Sequence, residues 1–438
     1  MAREKFIGIR ETLTSLLPKA ELEHLAYESG MVRRRRKVDP SAMLWTLTLG
    51  FAAGRERTLA GLRRMYQRAT GTSLVASAFY DRFTPELVRF LRAVVGELCG
   101  RLSEHEPACQ GLLSKFTDVV VTDASVVKLH HLLARRYPGT RTNSNPAAAK
   151  LHLVMSVKGK GLERVKLTGE RANDHRSLRM GPWVAGRLLL FDLGYFRYQL
   201  FDCIDRNGGT FLTRIPAGAK PLIVGMNRKW RGRTVALEGK RLDDVAGKLR
   251  RMTLDVEVEV EFPRRVYDGK RRTHRRRFRL IGVRDPNSAS YWFYLTNIPV
   301  EEFDAESLAQ VYACRWQVEL IFKELKSHYR LAQLPTRKGP IVEALILSAI
   351  ITLLLSRELL DTVRKRLRRQ RHRVPEARWA SLFAAVASRI LDLLTLPART
   401  ARALARRLEP MLLHEAIDPN RGRPLLLQRV DRGLAWVR

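Results

Sequence analysis

Apolar and polar positions change rhythm several times along the chain. Up to about residue 100 the spacing is helical: Leu59, Leu62, Met65 and Tyr66 fall on one face, after an apolar segment at Leu44–Phe51. Gly71-Thr72-Ser73 reads as a turn, and Leu74 to Phe83 as a second short helix. Helix, turn and helix is the outline both of an ordinary helical hairpin and of a DNA-reading unit. From Phe116 the pattern becomes short apolar runs bounded by turn residues: Val119–Val121, Leu151–Val157, Arg187–Phe191 and Thr210–Ile215. Between 216 and 290 it alternates strictly. Leu254, Val256, Val258, Val260 and Phe262 interleave with Asp255, Glu257, Glu259 and Glu261, which predicts a strand with one apolar and one acidic face. Asp268-Gly269 is a plausible turn, and Arg275, Arg277 and Arg279 follow, so an acidic strand facing a basic one is expected. Tyr291–Thr296 is a further strand. Helical texture returns from about Ser307 and continues to the end.

Charge narrows the partners. Lys plus Arg number 80 against 44 Asp plus Glu, a net charge of +36. Such a surplus opposes compaction unless a polyanion neutralises it, so nucleic acid is favoured over a ribosomal or membrane-surface role. Basic positions spread along the chain: Arg33–Lys37, Arg55, Arg57, Arg63, Arg64 and Arg68, and seven Lys or Arg within 364–373. A hydrophobic content of 45% excludes a disordered basic tail. The four cysteines show no CxxC pairing, which argues against a zinc site or a disulfide framework and for a reduced, cytoplasmic compartment. The start of the chain has no apolar signal core, and the run Ala344–Ser356 is too short to span a bilayer, so it is expected to be a buried helix and no membrane association is expected.

Three carboxylates stand out. Asp123 and Asp192 each end an apolar strand run, where a side chain can point into the cleft above a sheet. Either can equally begin a turn or cap a helix. The segment 312–327 adds the third. Read as one helix, Tyr312, Arg315, Glu319 and Lys326 form a single stripe carrying a phenol, a carboxylate and two cations, an odd face for a core helix. Two strand-end carboxylates and one on a later helix can bind two divalent cations, and hard oxygen donors select Mg²⁺, with Mn²⁺ as substitute. Trp316 is expected to pack behind the Glu319 face. His130, His131, His152 and His175 form no softer metal site.

The pattern Tyr-x2-Arg-x3-Glu-x6-Lys, together with Asp123-Ala-Ser and Asp192-Leu-Gly-Tyr, resembles the cut-and-paste insertion-sequence transposases of the IS-four type. The resemblance covers about residues 115–330. It implies an α/β protein: a ribonuclease H-like catalytic core interrupted by an antiparallel β insertion, with helical N- and C-terminal regions. It also implies catalytic, metal-binding Asp123, Asp192 and Glu319 with two ions per active site. Tyr312, Arg315 and Lys326 would contact DNA phosphates, with Lys150 and Arg214 as further DNA-binding candidates. In relatives that close the transposon end into a hairpin, a Trp like Trp292 stacks on a flipped base. The partners implied are double-stranded DNA, both element ends and target, and a second copy of the chain.

The expected organisation is a helical DNA-binding region at 1–110, core segments at 111–215 and 291–360, a β-strand insertion at 216–290 and a basic helical region at 361–438. The expected activity is phosphodiester cleavage at the element ends followed by joining of the 3′-OH to target DNA. The competing readings are a transposase-derived DNA-binding regulator, a metal-dependent nuclease without strand transfer, and an RNA-binding structural protein.

Overall fold

The computed structural model describes the chain apart from residues 1–7, 35–37, 55–57, 104–110, 141–145, 160, 228–235, 264–272, 286–289, 333, 335, 368–371, 421–429 and 431–438. The expected Asp268-Gly269 turn, Arg35–Lys37, Arg55, Arg57, Cys109 and part of the basic run at 364–373 lie outside the described residues.

The N-terminal third is helical: α1 (Ile9–Leu16), α2 (Lys19–Glu28), α3 (Pro40–Trp45), α4 (Leu59–Thr70), α5 (Ala76–Tyr80) and α6 (Pro85–Ser103). Local chemistry sets the ends. Asp39 accepts a hydrogen bond from the Ala42 amide and Pro40 opens α3; Thr58 does the same for α4 through Gly61. Gly71, at φ 68°, closes α4 in the left-handed region. The apolar run after α3 winds into a buried π-helical segment at Thr46–Ala52.

Nine strands form one sheet in the order β3-β2-β1-β4-β5-β9-β8-β7-β6. They are β1 (Asp118–Lys128), β2 (Ala148–Ser156), β3 (Leu162–Gly169), β4 (Arg187–Phe191), β5 (Thr210–Arg214), β6 (Leu222–Met226), β7 (Thr253–Pro263), β8 (Thr273–Arg284) and β9 (Tyr291–Thr296). The centre is parallel: β1 pairs with β4 and β4 with β5. Antiparallel ladders flank it, β1–β2–β3 on one side and β5–β9–β8–β7–β6 on the other. The short helices α7 (Asp174–Ser177), α8 (Tyr198–Arg206) and α9 (Leu242–Ala246) lie between strands in sequence, α8 linking β4 to β5. After β9 come α10 (Ala305–Tyr312), α11 (Trp316–Ser327), α12 (Gly339–Leu367), α13 (Glu376–Thr395) and α14 (Ala398–Ala416).

The acidic and basic strands do face each other. In β7–β8 the register sets Glu257 opposite Arg279, Glu259 opposite Arg277 and Glu261 opposite Arg275. The apolar side of β7 enters a core with Phe201, Phe211 and Phe278, beneath one face of the sheet. The other face, through Val119, Val121, Leu188 and Leu190, joins the larger core built on the N- and C-terminal helices. The run Ala344–Ser356 lies inside α12. That helix is long and apolar enough to cross a membrane, but its most apolar window is 94% buried within the protein. The mixed α/β architecture with helical flanks therefore follows the coarse expectation.

Candidate active site

Two details of the strands place the aspartates. β1 does not stop at Asp123; it runs on to Lys128, held by β2 alone. Its parallel ladder with β4 ends at Thr122 opposite Phe191. Asp123 and Asp192 are thus the next residue on each of two adjacent parallel strands, just past their last pair. They continue the side-chain phase of Val121 and Leu190, so both face the larger core and its helices. A strand-end cleft between parallel strands is where such sheets bind ligands.

The segment 312–327 is not one continuous helix. α10 ends at Tyr312, a 3₁₀ turn covers Ala313–Arg315, and α11 starts at Trp316. The break shifts the stripe. Tyr312 is buried and its hydroxyl donates to the Phe191 carbonyl at 3.0 Å, pinning the turn to the end of β4. Trp316, the first residue of α11 after the 3₁₀ turn, is 48% exposed rather than packed behind Glu319. Arg315 Nη2 lies 2.6 Å from Glu319 Oε1 and its guanidinium 5.8 Å from the Tyr312 ring centre. Lys326 is exposed in the last turn of α11.

Electrostatics tie these groups together. Burial pushes the Asp123 carboxyl up to about 6; the Ala124 amide, which donates to Oδ1 at 2.7 Å, and Arg315 oppose the rise, while Asp192 and Glu319 add to it. Burial works against the Arg315 charge, but Tyr312, Glu319 and Asp192 outweigh it and hold the guanidinium above its ordinary value. Three carboxylates therefore converge on one arginine.

The remaining candidates divide. Arg214 and Trp292 meet, with the guanidinium 4.1 Å from the ring centre. Arg214 is also close enough to Tyr312 to act on its charge. Tyr294, two residues from Trp292 on the same strand face, packs edge-on to Tyr312 at 5.0 Å. Sequence reasoning passed over Tyr294, although the alternation in β9 marks it. Lys150 is not brought to this group. It follows the phase of Val154 on the opposite sheet face, and its Nζ pairs with Asp174 at 3.1 Å. His152 shares that face, and burial pushes it down to about 4, so it stays neutral at physiological pH. The rival acids are engaged elsewhere: Asp118 accepts from Ser156, and Asp202 and Asp205 bind Arg276.

The donor set suits a divalent cation: the two aspartates stand side by side at the end of the β1–β4 ladder, burial and the charge of Asp192 raise Asp123, and both are hard oxygen donors. Gathering is incomplete, however. Among the described residues no three His, Cys, Asp or Glu side chains are close enough to hold a metal together. Glu319 accepts from Arg315 instead, at 2.6 Å.

A family model described as a transposase DDE domain matches residues 114–355. The chain is 23% identical over 386 residues to a transposase for the insertion sequence element IS231F of Bacillus thuringiensis subsp. israelensis, covering 79% of this chain and 78% of that protein. To a transposase for IS1151 of Clostridium perfringens it is 20% identical over 371 residues, covering 78% of each. In solved structures, it aligns with a piggyBac transposase synaptic complex with hairpin DNA at TM-score 0.45 and 10% identity, over 94% of this chain and 80% of that one.

Proposed function

The chain belongs to the transposase DDE-domain family, and on that footing we propose that it is a cut-and-paste DNA transposase in which Asp123, Asp192 and Glu319 hold the catalytic cations. The observation that carries this reading is the placement of Asp123 and Asp192 just past the last pair of the parallel β1–β4 ladder, on the sheet face that Arg315, in the 3₁₀ turn, and Glu319, in the first turn of α11, adjoin. The strand order β3-β2-β1-β4-β5, antiparallel then parallel, supports a ribonuclease H-like core. On this reading β6, β7 and β8 are the insertion that widens its sheet, and the helical regions at 1–110 and 361–438 flank it.

Asp123, Asp192 and Glu319 would hold two Mg²⁺ or Mn²⁺ ions, which would supply activation of the attacking oxygen and charge stabilisation of the leaving oxygen in an in-line displacement. The chain does the rest. Arg315, and Lys326 at the exposed end of α11, grip phosphate oxygens near the scissile bond. Tyr312 sets the angle of the 3₁₀ turn through Phe191, which fixes where Arg315 and Glu319 point. The 3′-OH released by hydrolysis then attacks target DNA in the same site. Two ends need two active sites, so the working unit is a dimer on DNA.

The test is cleavage of a supercoiled plasmid carrying the DNA that flanks the gene, with Mg²⁺, Mn²⁺ or EDTA, comparing the natural protein with Glu319→Ala. Cuts at two defined ends that need both cation and Glu319 are expected. Cutting that survives EDTA or Glu319→Ala refutes the assignment.

Trp292 and Arg214 extend the reading to hairpin ends. An aromatic face already paired with a cation suits an extrahelical base. Stacking contributes about 1–3 kcal/mol per base. Trp292→Ala should therefore lower sealed-hairpin yield about tenfold or more, with first-strand nicking kept, while Trp292→Phe retains most of it. Gel analysis of end products separates the two steps; equal loss of both would make Trp292 a core residue only.

A further inference from the structure

Arg315 stands where a cation is needed. It is the positive group among three carboxylates, paired with Glu319 at 2.6 Å and close enough to Asp123 and Asp192 to act on each. Its side chain is 15% exposed and that of Glu319 33%, so the pair is sheltered from water more than a surface i,i+4 pair. It also straddles the junction between the 3₁₀ turn and α11, so the pairing decides where the Glu319 carboxylate goes. Among the described residues the three acids are not gathered into a metal-holding group.

We propose that Arg315 is a positioning residue that gates cation loading. Without DNA its guanidinium serves as the cluster's internal counter-ion and keeps Glu319 turned away from the aspartates. A DNA phosphate competes for the same fork of N–H donors, and Glu319 is released to complete the cation site. The inference rests on the assignment of Asp123, Asp192 and Glu319 made above and adds to it a coupling. DNA and cation promote each other's binding, and by linkage the factor is the same in both directions. The arrangement withholds a complete cation site from the protein until a phosphodiester is in place.

The test measures Mn²⁺ binding to the full chain by the EPR signal of free Mn²⁺. Titrations run with and without a short duplex from one end of the flanking DNA, with duplex alone subtracted. For the natural protein the duplex should tighten Mn²⁺ about tenfold, a common size for such coupling. Arg315→Gln should tighten DNA-free Mn²⁺ binding by a similar factor, and the duplex should then add little. Arg315→Lys, which keeps the charge but not the fork, should fall between the two. Melting curves of each variant verify folding, so lost structure is not mistaken for lost coupling.

Unchanged DNA-free affinity in Arg315→Gln, or a duplex effect of the same size in both proteins, overturns the gate while leaving the carboxylate assignment intact. Mn²⁺ binding that does not depend on Asp123, tested with Asp123→Ala, overturns that assignment and the gate with it.

Discussion

Asp123→Asn should abolish DNA cleavage and at the same time make the cation-free protein more stable. The two effects share one cause. Burial and the neighbouring charges of Asp192 and Glu319 raise the Asp123 carboxyl to about 6 from an ordinary 3.8. A group whose folded pKa is raised binds more protons folded than unfolded, so stability falls as pH rises through the window from about 4 to 6. Above it the full penalty remains, on the order of 1–3 kcal/mol for a shift of this size. Asn keeps the shape and removes the charge, so urea melts in EDTA near neutral pH should show a gain of that order, and the pH dependence across the window should weaken. Mg²⁺ added together with a short end duplex should stabilise the natural protein by mass action more than the duplex alone does and give Asp123→Asn no such extra gain, narrowing or reversing the difference. Cleavage should fall by about a thousandfold or more, since groups that act as a unit fail together. Binding to end DNA should persist, because the phosphate-gripping cations remain. A destabilised Asp123→Asn variant would mark the carboxylate as structural, and retained cleavage would remove it from the active site.

How much of this was legible beforehand depended on whether the physics was local. Strands such as Arg187–Phe191 and Tyr291–Thr296 have the bounds expected from their apolar runs, and the acidic and basic strands pair because alternation fixes faces two residues at a time. Asp123 was read as the end of a strand. In the fold β1 continues, and it is its neighbour β4 that ends, a fact about pairing that no single segment encodes. The 3₁₀ turn at Ala313–Arg315 was equally hidden, since helix spacing over Tyr312–Lys326 looks unbroken in sequence; beside it the Tyr312 hydroxyl bonds the Phe191 carbonyl, a tertiary contact the spacing does not encode, and Trp316 is exposed. Lys150, read as a DNA-binding candidate, lies by strand parity on the opposite sheet face from Asp123, and nothing in its sequence neighbourhood announces Asp174 as its partner. Arg315–Glu319 was visible as an i,i+4 pair, but its place among the other two carboxylates was not.

Arg279 carries the second large effect, and it is one of stability. Alternation places it with Arg275 and Arg277 on a basic strand facing the acidic one. In the fold it is buried, forked onto Asp255 with Nε–Oδ1 at 2.9 Å and Nη2–Oδ2 at 2.6 Å. Its guanidinium also donates to the carbonyls of Ile298 at 3.3 Å, Pro299 at 3.0 Å and Phe303 at 2.8 Å. Asn227 donates to the same Asp255 carboxylate at 3.0 Å. The group thereby ties β7 and β8 to the loop between β9 and α10, the segment that delivers Tyr312 and Arg315 to the carboxylates. Arg279→Met leaves Asp255 as a buried, partly unsatisfied charge and removes the Arg279 donors from the carbonyls of Ile298, Pro299 and Phe303. Removing one partner of a buried pair costs about 3–5 kcal/mol. Arg279→Lys should recover little of it, because a point charge cannot serve a carboxylate and these carbonyls in the plane of the fork. The double variant Arg279→Met with Asp255→Leu should be less destabilised than the sum of its parts, since the stranded charge is gone. Urea melts of the four proteins give the cycle directly. A loss below about 1 kcal/mol for Arg279→Met, within the range of surface substitutions and weak pairs, would show that the loop before α10 is held by its apolar contacts instead.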